Sequence, residues 1–134
     1  MAEGLIPFSR VIERVRKLAN DYPDRVVECQ YFDNGGAPEC IFGTVLHELG
    51  CYLNVTTEDD VEVAWEVRGP TGVPVVNDGE SISDAHWIAA GVAEPTKDQA
   101  GWAVNVQDTQ DNNLAWGFAV GSVDEDFKRR GIAV

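Results

Sequence analysis

At 134 residues the chain is long enough for one domain with a core of ordinary size, which needs neither disulfides nor a metal to fold. With 44% hydrophobic and 25% charged residues, its composition is that of a globular protein and excludes a disordered or fibrous chain. We therefore predict a single domain over residues 1–134, with flexible ends at residues 1–7 and 131–134.

The net charge is −13, and the acidic residues are unevenly distributed. Residues 26–127 carry nineteen acids and only two bases, whereas the first 25 residues carry five bases against four acids. Such a surface repels nucleic acid and anionic membranes and favours partners that are basic. Acidity of this kind can also serve solubility alone, and the sequence leaves both interpretations open.

Localisation is predicted from the chain start and the cysteines. The first residues, MAEGLIPF, lack the basic start and the long apolar stretch of a signal peptide, and no apolar run approaches the roughly 20 residues of a membrane span. Three cysteines are an odd number, which indicates reduced thiols and not a disulfide framework. A cytoplasmic protein is expected.

The first predicted element is an amphipathic helix from Phe8 or Ser9 to Asn20, with Ser9 as its N-cap and Pro23 beyond its end. Apolar residues recur there at helical spacing, which places them on one face. They are Phe8, Val11, Ile12, Val15, Leu18, Ala19 and Tyr22.

A strand, a turn and a second helix are predicted next. Residues 26–32 are rich in β-branched and aromatic types, and residues 33–36 are those of a tight turn. The helix should begin at Pro38 and end at Gly50 in a left-handed cap. Gly43 costs this helix about 1 kcal/mol relative to alanine, which indicates close packing, and we expect the C-terminal tryptophan-bearing hairpin as its neighbour.

The middle of the chain fits two structures. Residues 57–60 resemble a helix start, but residues 61–67 alternate apolar and polar types as a half-buried strand does. We favour the strand, with a turn at residues 69–72 leading to an edge strand that contains Pro74.

Next along the chain, a short helix over residues 83–90 should bury Trp87 and Ile88. It is followed by the last predicted pair of elements.

A helical hairpin is predicted to close the chain. Thr96 and Gln99 form a capping box for its first helix, which residues 111–113 end. Gly117 and Gly121 in the second helix should let a neighbour approach closely. That helix carries the apolar stripe Trp116, Ala119, Val120, Val123 and Phe127. The fold class is thus α+β and predominantly helical, with an N-terminal helix, a short hairpin and central helix, a small β element in the middle and the C-terminal helical hairpin.

Three cysteines and one histidine would together supply a Cys3His ligand set for zinc. These candidates are Cys29, Cys40, His47 and Cys51. The spacing argues against the site, because no Cys-x-x-Cys pair is present and Gly50 should end the helix before Cys51. We expect buried thiols, a surface or capping histidine, and neither metal nor cofactor.

No catalytic pattern emerges either. A nucleophile pair of Cys40 with His47 or His86 would need a positioned base and an oxyanion site, and the sequence indicates neither. The calcium-loop and phosphate-loop patterns are missing from the sequence. We therefore predict that the protein is not an enzyme.

Two segments carry a family resemblance. Residues 35–50 place a Gly-x-Pro-x-Cys turn before an apolar-Gly-x-x-Leu-x-x-Leu-Gly helix, and residues 102–120 contain Val-Gln, Gln-Asp, Trp and Ala-Val in that order. Here the chain resembles small acidic proteins of actinobacteria and their phages, although Asn112 and Asn113 stand where a glycine is usual. The resemblance implies a phage or prophage accessory protein and brings no functional residues with it.

The sequence thus predicts a non-enzymatic protein that binds a host or phage protein through an acidic surface. The partner should be basic or nucleic-acid-binding, with no direct contact to nucleic acid or membrane, and the location would be the host cytoplasm. The candidate surface is Glu58, Asp59, Asp60, Glu62, Glu66, Asp108 and Asp111. Two alternatives remain: a small-ligand or metal module around Cys40 and His47, and a mimic of nucleic-acid charge that inhibits a DNA-binding protein.

Overall fold

A computed structural model describes residues 4–27, 30–33, 35–77 and 80–134. The fold is α+β, as the sequence predicts, with four α-helices and a three-stranded antiparallel sheet in the described ranges. The elements are α1 (Phe8–Asp21), α2 (Ile41–Glu48), β1 (Tyr52–Glu58), β2 (Val61–Arg68), β3 (Pro74–Asn77), α3 (Lys97–Asp111) and α4 (Trp116–Arg129). Two 3-10 helices, Ile82–Asp84 and Trp87–Ala90, lie between β3 and α3. Within these described ranges, no helix combines the length and apolar character that a bilayer crossing requires.

Helix α1 buries its predicted stripe in the core, except for Tyr22, which is 50% exposed because the helix ends at Asp21. The predicted cap at Ser9 is wrong. The helix starts at Phe8, one of the two predicted starts, with Pro7 at the N-cap position and no side-chain cap.

A polar contact on the helices ties α1 to the C-terminal hairpin. Asp124 of α4 accepts hydrogen bonds from the Arg16 guanidinium (2.8 Å) and from the Trp102 indole N–H (2.8 Å). The Arg16 guanidinium also lies 5.4 Å from the centroid of the buried Trp102 ring, within cation–π range. Three helices therefore meet at one carboxylate.

The sheet confirms the strand predicted for residues 61–67. Its order is β1-β2-β3, and Pro74 lies in the edge strand β3, where a missing N–H is tolerated. Asp59 and Asp60 join β1 to β2 with positive φ values of 52° and 65°, the backbone that a two-residue hairpin turn requires.

The strand predicted over residues 26–32 is wrong for its described residues. Phe32 alone pairs, in an isolated antiparallel bridge with Pro38, so the predicted hairpin shrinks to a tight turn. Because Pro38 belongs to this bridge, α2 begins later, at Ile41. The predicted cap at Gly50 is confirmed by its φ of +93°.

The single helix predicted over residues 83–90 is also wrong. Two 3-10 segments replace it, and a 3-10 helix has three residues per turn, so positions i and i+3 share one side. Trp87 and Ala90 are accordingly buried, whereas Ile88 is 56% exposed.

The C-terminal hairpin is confirmed, including the capping box of α3 and the break, where Asn113 has a φ of 62°. At the start of α4, Ala115 has no capping side chain. Backbone carbonyls of an earlier turn take its place: Arg25 O accepts from the Trp116 N–H and Pro23 O from the Gly117 N–H. A Cβ on Gly117 would lie only 2.8 Å from Pro23, as the predicted close approach requires.

Close packing at Gly43 is confirmed, but the expected neighbour is wrong. A Cβ built on Gly43 would lie 1.9 Å from the backbone oxygen of Tyr31, so the close neighbour of Gly43 is the segment just before α2 and not the C-terminal hairpin. That carbonyl is fixed in place, since it accepts a hydrogen bond from the Glu39 N–H (2.9 Å).

The two helical glycines Gly43 and Gly121 should respond in opposite directions to alanine. Gly43→Ala forces backbone apart and should lower the free energy of unfolding by about 3 kcal/mol. Gly121 has nothing within 4 Å of the built Cβ, so the close approach predicted there is wrong, and Gly121→Ala should raise stability by about 0.5–1 kcal/mol. Urea unfolding of both variants measures this, and equal effects would contradict the packing.

Candidate functional site

The zinc candidates do not converge within the described structure. Cys40 caps α2, with its Sγ accepting from the Gly43 N–H at 3.2 Å, and His47 lies seven residues on, roughly 10 Å along the axis. The His47 ring meets the edge of Phe32. Cys29 lies outside the described residues. Over the rest, no group of three or more His, Cys, Asp or Glu side chains is placed to hold a metal ion.

Cys51 is buried directly after the glycine that ends α2. Burial raises the pKa of its thiol to about 11, because the thiolate loses its hydration. The thiol is therefore neutral at pH 7. A reactive cysteine needs the opposite, a lowered pKa and an accessible sulfur, so Cys51 has a packing role.

Two buried glutamines of α3 accept hydrogen bonds from backbone N–H groups of other segments, a role that the sequence did not predict. Gln110, 1% exposed, accepts from the Ile41 N–H at the start of α2 (2.8 Å). Gln107 accepts from the Ile82 N–H (2.7 Å) and donates to the Tyr31 hydroxyl (2.9 Å). In the sequence, the only sign of this role is the spacing of the two glutamines: they lie three residues apart, beside the apolar face of α3, where polar side chains need buried hydrogen-bond partners.

Four of the seven predicted surface acids come together at the tip of the β1–β2 hairpin. They are Glu58, Asp59, Asp60 and Glu62, and all four are exposed. No ion pair reaches any of them from the residues that the structure describes. We call residues 55–65, which end in this tip, the acidic arm.

The remaining three acids are placed differently. Glu66 is partly buried and paired: it accepts from the Arg68 guanidinium at 2.6 Å and from the Asn54 amide at 3.3 Å. Asp108 and Asp111 lie on α3, a different element, and Asp111 accepts from the Gln110 amide. The seven predicted acids are thus divided between the β1–β2 hairpin and α3, and four of them lie in the arm.

The arm also carries apolar side chains. Val55 and Trp65 are direct cross-strand partners and only partly buried, and neither joins the hydrophobic core, which begins two pairs further along the strands, at Leu53 and Val67. Val61, next to the acidic turn, is 61% exposed. The alternation of residues 61–67 correctly predicts a strand, but the core covers only the base of that strand.

A β-bulge separates the two halves of the arm. The register shifts between Thr56, which pairs with Ala64, and Thr57, which pairs with Glu62. A bulge increases the local twist and re-aims the side chains beyond it, and the four acids beyond this bulge are exposed. The tip therefore presents its charges away from the core.

Comparisons of the chain with protein-family models, with curated proteins and with solved structures found no match. The chemistry of the arm is therefore the basis for a functional proposal.

The raised pKa of Cys51 makes stability depend on alkaline pH. An exposed thiol in the unfolded chain ionises near pH 8.5, whereas the folded thiol holds its proton to about pH 11. The protonated Cys51 thiol therefore contributes fully to the free energy of unfolding below about pH 8.5. Between about pH 8.5 and pH 11 this contribution falls by about 2–3 kcal/mol. Urea unfolding between pH 7 and 11 should give a flatter decline for Cys51→Ala, and parallel declines would contradict this.

The hydrogen bonds of Gln107 and Gln110 should contribute more to the free energy of unfolding than hydrogen bonds at the surface do. Gln110→Met keeps the side-chain length but leaves the buried Ile41 N–H without an acceptor. This should lower the free energy of unfolding by about 1–3 kcal/mol. Gln107→Met should cost a similar amount through Ile82. Thermal or urea unfolding tests both variants, and a loss below about 0.5 kcal/mol in either would show that its N–H finds another acceptor.

Proposed function

We propose that this is a non-enzymatic binding protein that contacts a basic segment of a partner protein through the acidic arm. The observation that carries the proposal is the set of four exposed carboxylates at the hairpin tip, Glu58, Asp59, Asp60 and Glu62, without a counter-ion among the described residues. Like charges so close together repel one another, and a cationic partner relieves that repulsion.

Charge pairing elsewhere in the chain supports this choice of surface. Among the described residues, five carboxylates outside the tip are paired with arginine or lysine, namely Asp21, Glu48, Glu66, Asp124 and Asp126. If acidity served only solubility, a mixed distribution of paired and unpaired acids over the surface would suffice. Concentration of four unpaired acids on one protruding turn favours recognition.

The apolar side chains of the arm supply what charge alone lacks. Interfaces combine a desolvated apolar or aromatic centre with a polar rim, and tryptophan is enriched among the residues that dominate binding. Val55 and Trp65 form a cross-strand pair outside the core, on the same hairpin as the four carboxylates of the tip. The complementary partner surface is therefore a short segment that carries both basic and apolar residues.

The sequence resemblance suggests where that partner is found. Residues 35–50 and 102–120 resemble small acidic proteins of actinobacteria and their phages, so the proposed partner is a host or phage protein in the host cytoplasm. Electrostatic steering would raise the rate of association and make it fall with salt. Nucleic acid and anionic membranes are repelled by the same charge.

Charge-neutral variants test the arm with little effect on its turn. The arm variant combines Glu58→Gln, Asp59→Asn, Asp60→Asn and Glu62→Gln, since asparagine tolerates the positive φ of residues 59 and 60. The control variant removes four exposed acids elsewhere that form no ion pair with a described residue: Glu13→Gln, Asp24→Asn, Asp84→Asn and Glu94→Gln. The two variants have the same net charge.

We expect the immobilised protein to capture a partner from actinobacterial lysate in a salt-dependent manner. The arm variant should capture at least about tenfold less partner than the unmodified protein, and the control variant should capture nearly as much as the unmodified protein. For an identified partner, association rates measured at two salt concentrations refine the test. Equal losses in the two variants would show that overall charge, and not the arm, determines binding.

A further inference from the structure

A groove between α1 and α2 lies apart from the acidic arm. Its volume is about 260 Å³, and its lining combines an apolar floor with charged groups at the mouth. The floor is Ile6, Val11, Val45 and Leu49, and the mouth is Arg10, Arg14 and Glu48. At about 30 Å³ per molecule of liquid water, the groove holds the equivalent of roughly nine waters, which suits a ligand of about that many non-hydrogen atoms.

Of the three charged residues at the mouth, two pair with each other and one arginine has no ion-pair partner among the described residues. Arg14 grips Glu48 with two parallel hydrogen bonds, from Nε to Oε1 at 2.7 Å and from Nη2 to Oε2, and this contact lowers the pKa of Glu48. The pair is therefore ionised and neutral overall. Arg10 is exposed and has no ion pair with any described residue, so the mouth carries a net charge of +1.

We propose that this groove binds a small amphipathic monocarboxylate, with the carboxylate on the Arg10 guanidinium and the hydrocarbon body against Ile6 and Leu49. A guanidinium fork matches the two carboxylate oxygens in geometry and charge. An apolar floor with one convergent charged group is the usual composition of a small-ligand site.

The surroundings set the charge and size of the ligand. With a single free cation at the mouth and a protein charge of −13, a nucleotide or another polyanion is repelled. A neutral hydrocarbon of the same shape leaves Arg10 without a partner and gains only apolar burial. The groove therefore selects one negative charge on a compact, branched or aromatic body.

The probe for this site is 4-methylpentanoate, titrated into the full-length protein and followed by the methyl NMR signals of Ile6, Val45 and Leu49. A ligand of this size should bind in the millimolar range, because small ligands gain little from each atom. The alcohol 4-methylpentanol has the same body without the charge, and it should bind about tenfold more weakly.

Two variants should move the affinity in opposite directions. Arg10→Gln removes the free cation and should weaken 4-methylpentanoate about tenfold, whereas Glu48→Gln releases Arg14 as a second cation and should tighten it several-fold. Lys128→Gln removes an exposed, unpaired cation that does not line the groove and is the control for net charge, so it should leave the affinity unchanged.

Equal affinity for the acid and the alcohol, or equal effects of Arg10→Gln and Lys128→Gln, would overturn the proposal. Methyl shifts at residues outside the groove would overturn it as well. The result is independent of partner binding by the acidic arm, because none of these variants alters residues 55–65.

Discussion

The structure depends on the two buried glutamines of α3. A helix start leaves backbone N–H groups without partners, and water cannot reach those that begin α2 and the first 3-10 helix. Gln110 supplies the acceptor for Ile41, and Gln107 supplies the acceptor for Ile82 while its amide holds the Tyr31 hydroxyl. One face of α3 therefore fixes three segments that are distant in sequence. Tyr31 in turn offers the carbonyl against which Gly43 packs, so the glutamines and the glycine position α2 together.

Local patterns were sufficient where an element is shaped by its own residues. The stripe of α1, the alternation of β2 and the capping box at Thr96 each follow from neighbours a few positions away, and all three are confirmed. The failures have a different cause. Residues 26–32 are β-prone, yet the described part of this segment contributes only the isolated bridge at Phe32, and its Tyr31 carbonyl packs against Gly43 of α2. The conformation of this segment depends on tertiary packing, and β-propensity describes only the local preference of each residue.

The candidate sites divide in the same way. Composition identifies the acids of residues 58–62 as surface groups, but only the tertiary structure separates them from Glu66, which Arg68 neutralises. The exposure of Trp65 likewise depends on where the sheet leaves the core, a boundary that an alternating pattern cannot give. The groove beside Arg10 was not predictable at all, because it arises from the spacing of two helices and from the pairing of Arg14 with Glu48.

The distribution of charge connects stability with the proposed binding. Six of the ten basic residues form ion pairs with other described residues, and the Arg25 guanidinium lies over the rings of Tyr22 and Trp116. Few cations thus remain to neutralise the acids, and a surface ion pair would contribute only up to about 1 kcal/mol if they did. Leaving the tip unpaired therefore costs the fold little. The same four carboxylates form no ion pair with a described residue and so stay available to the proposed partner. Because Val55 and Trp65 lie outside the hydrophobic core, substitutions in the arm should leave the packing of the helices unchanged.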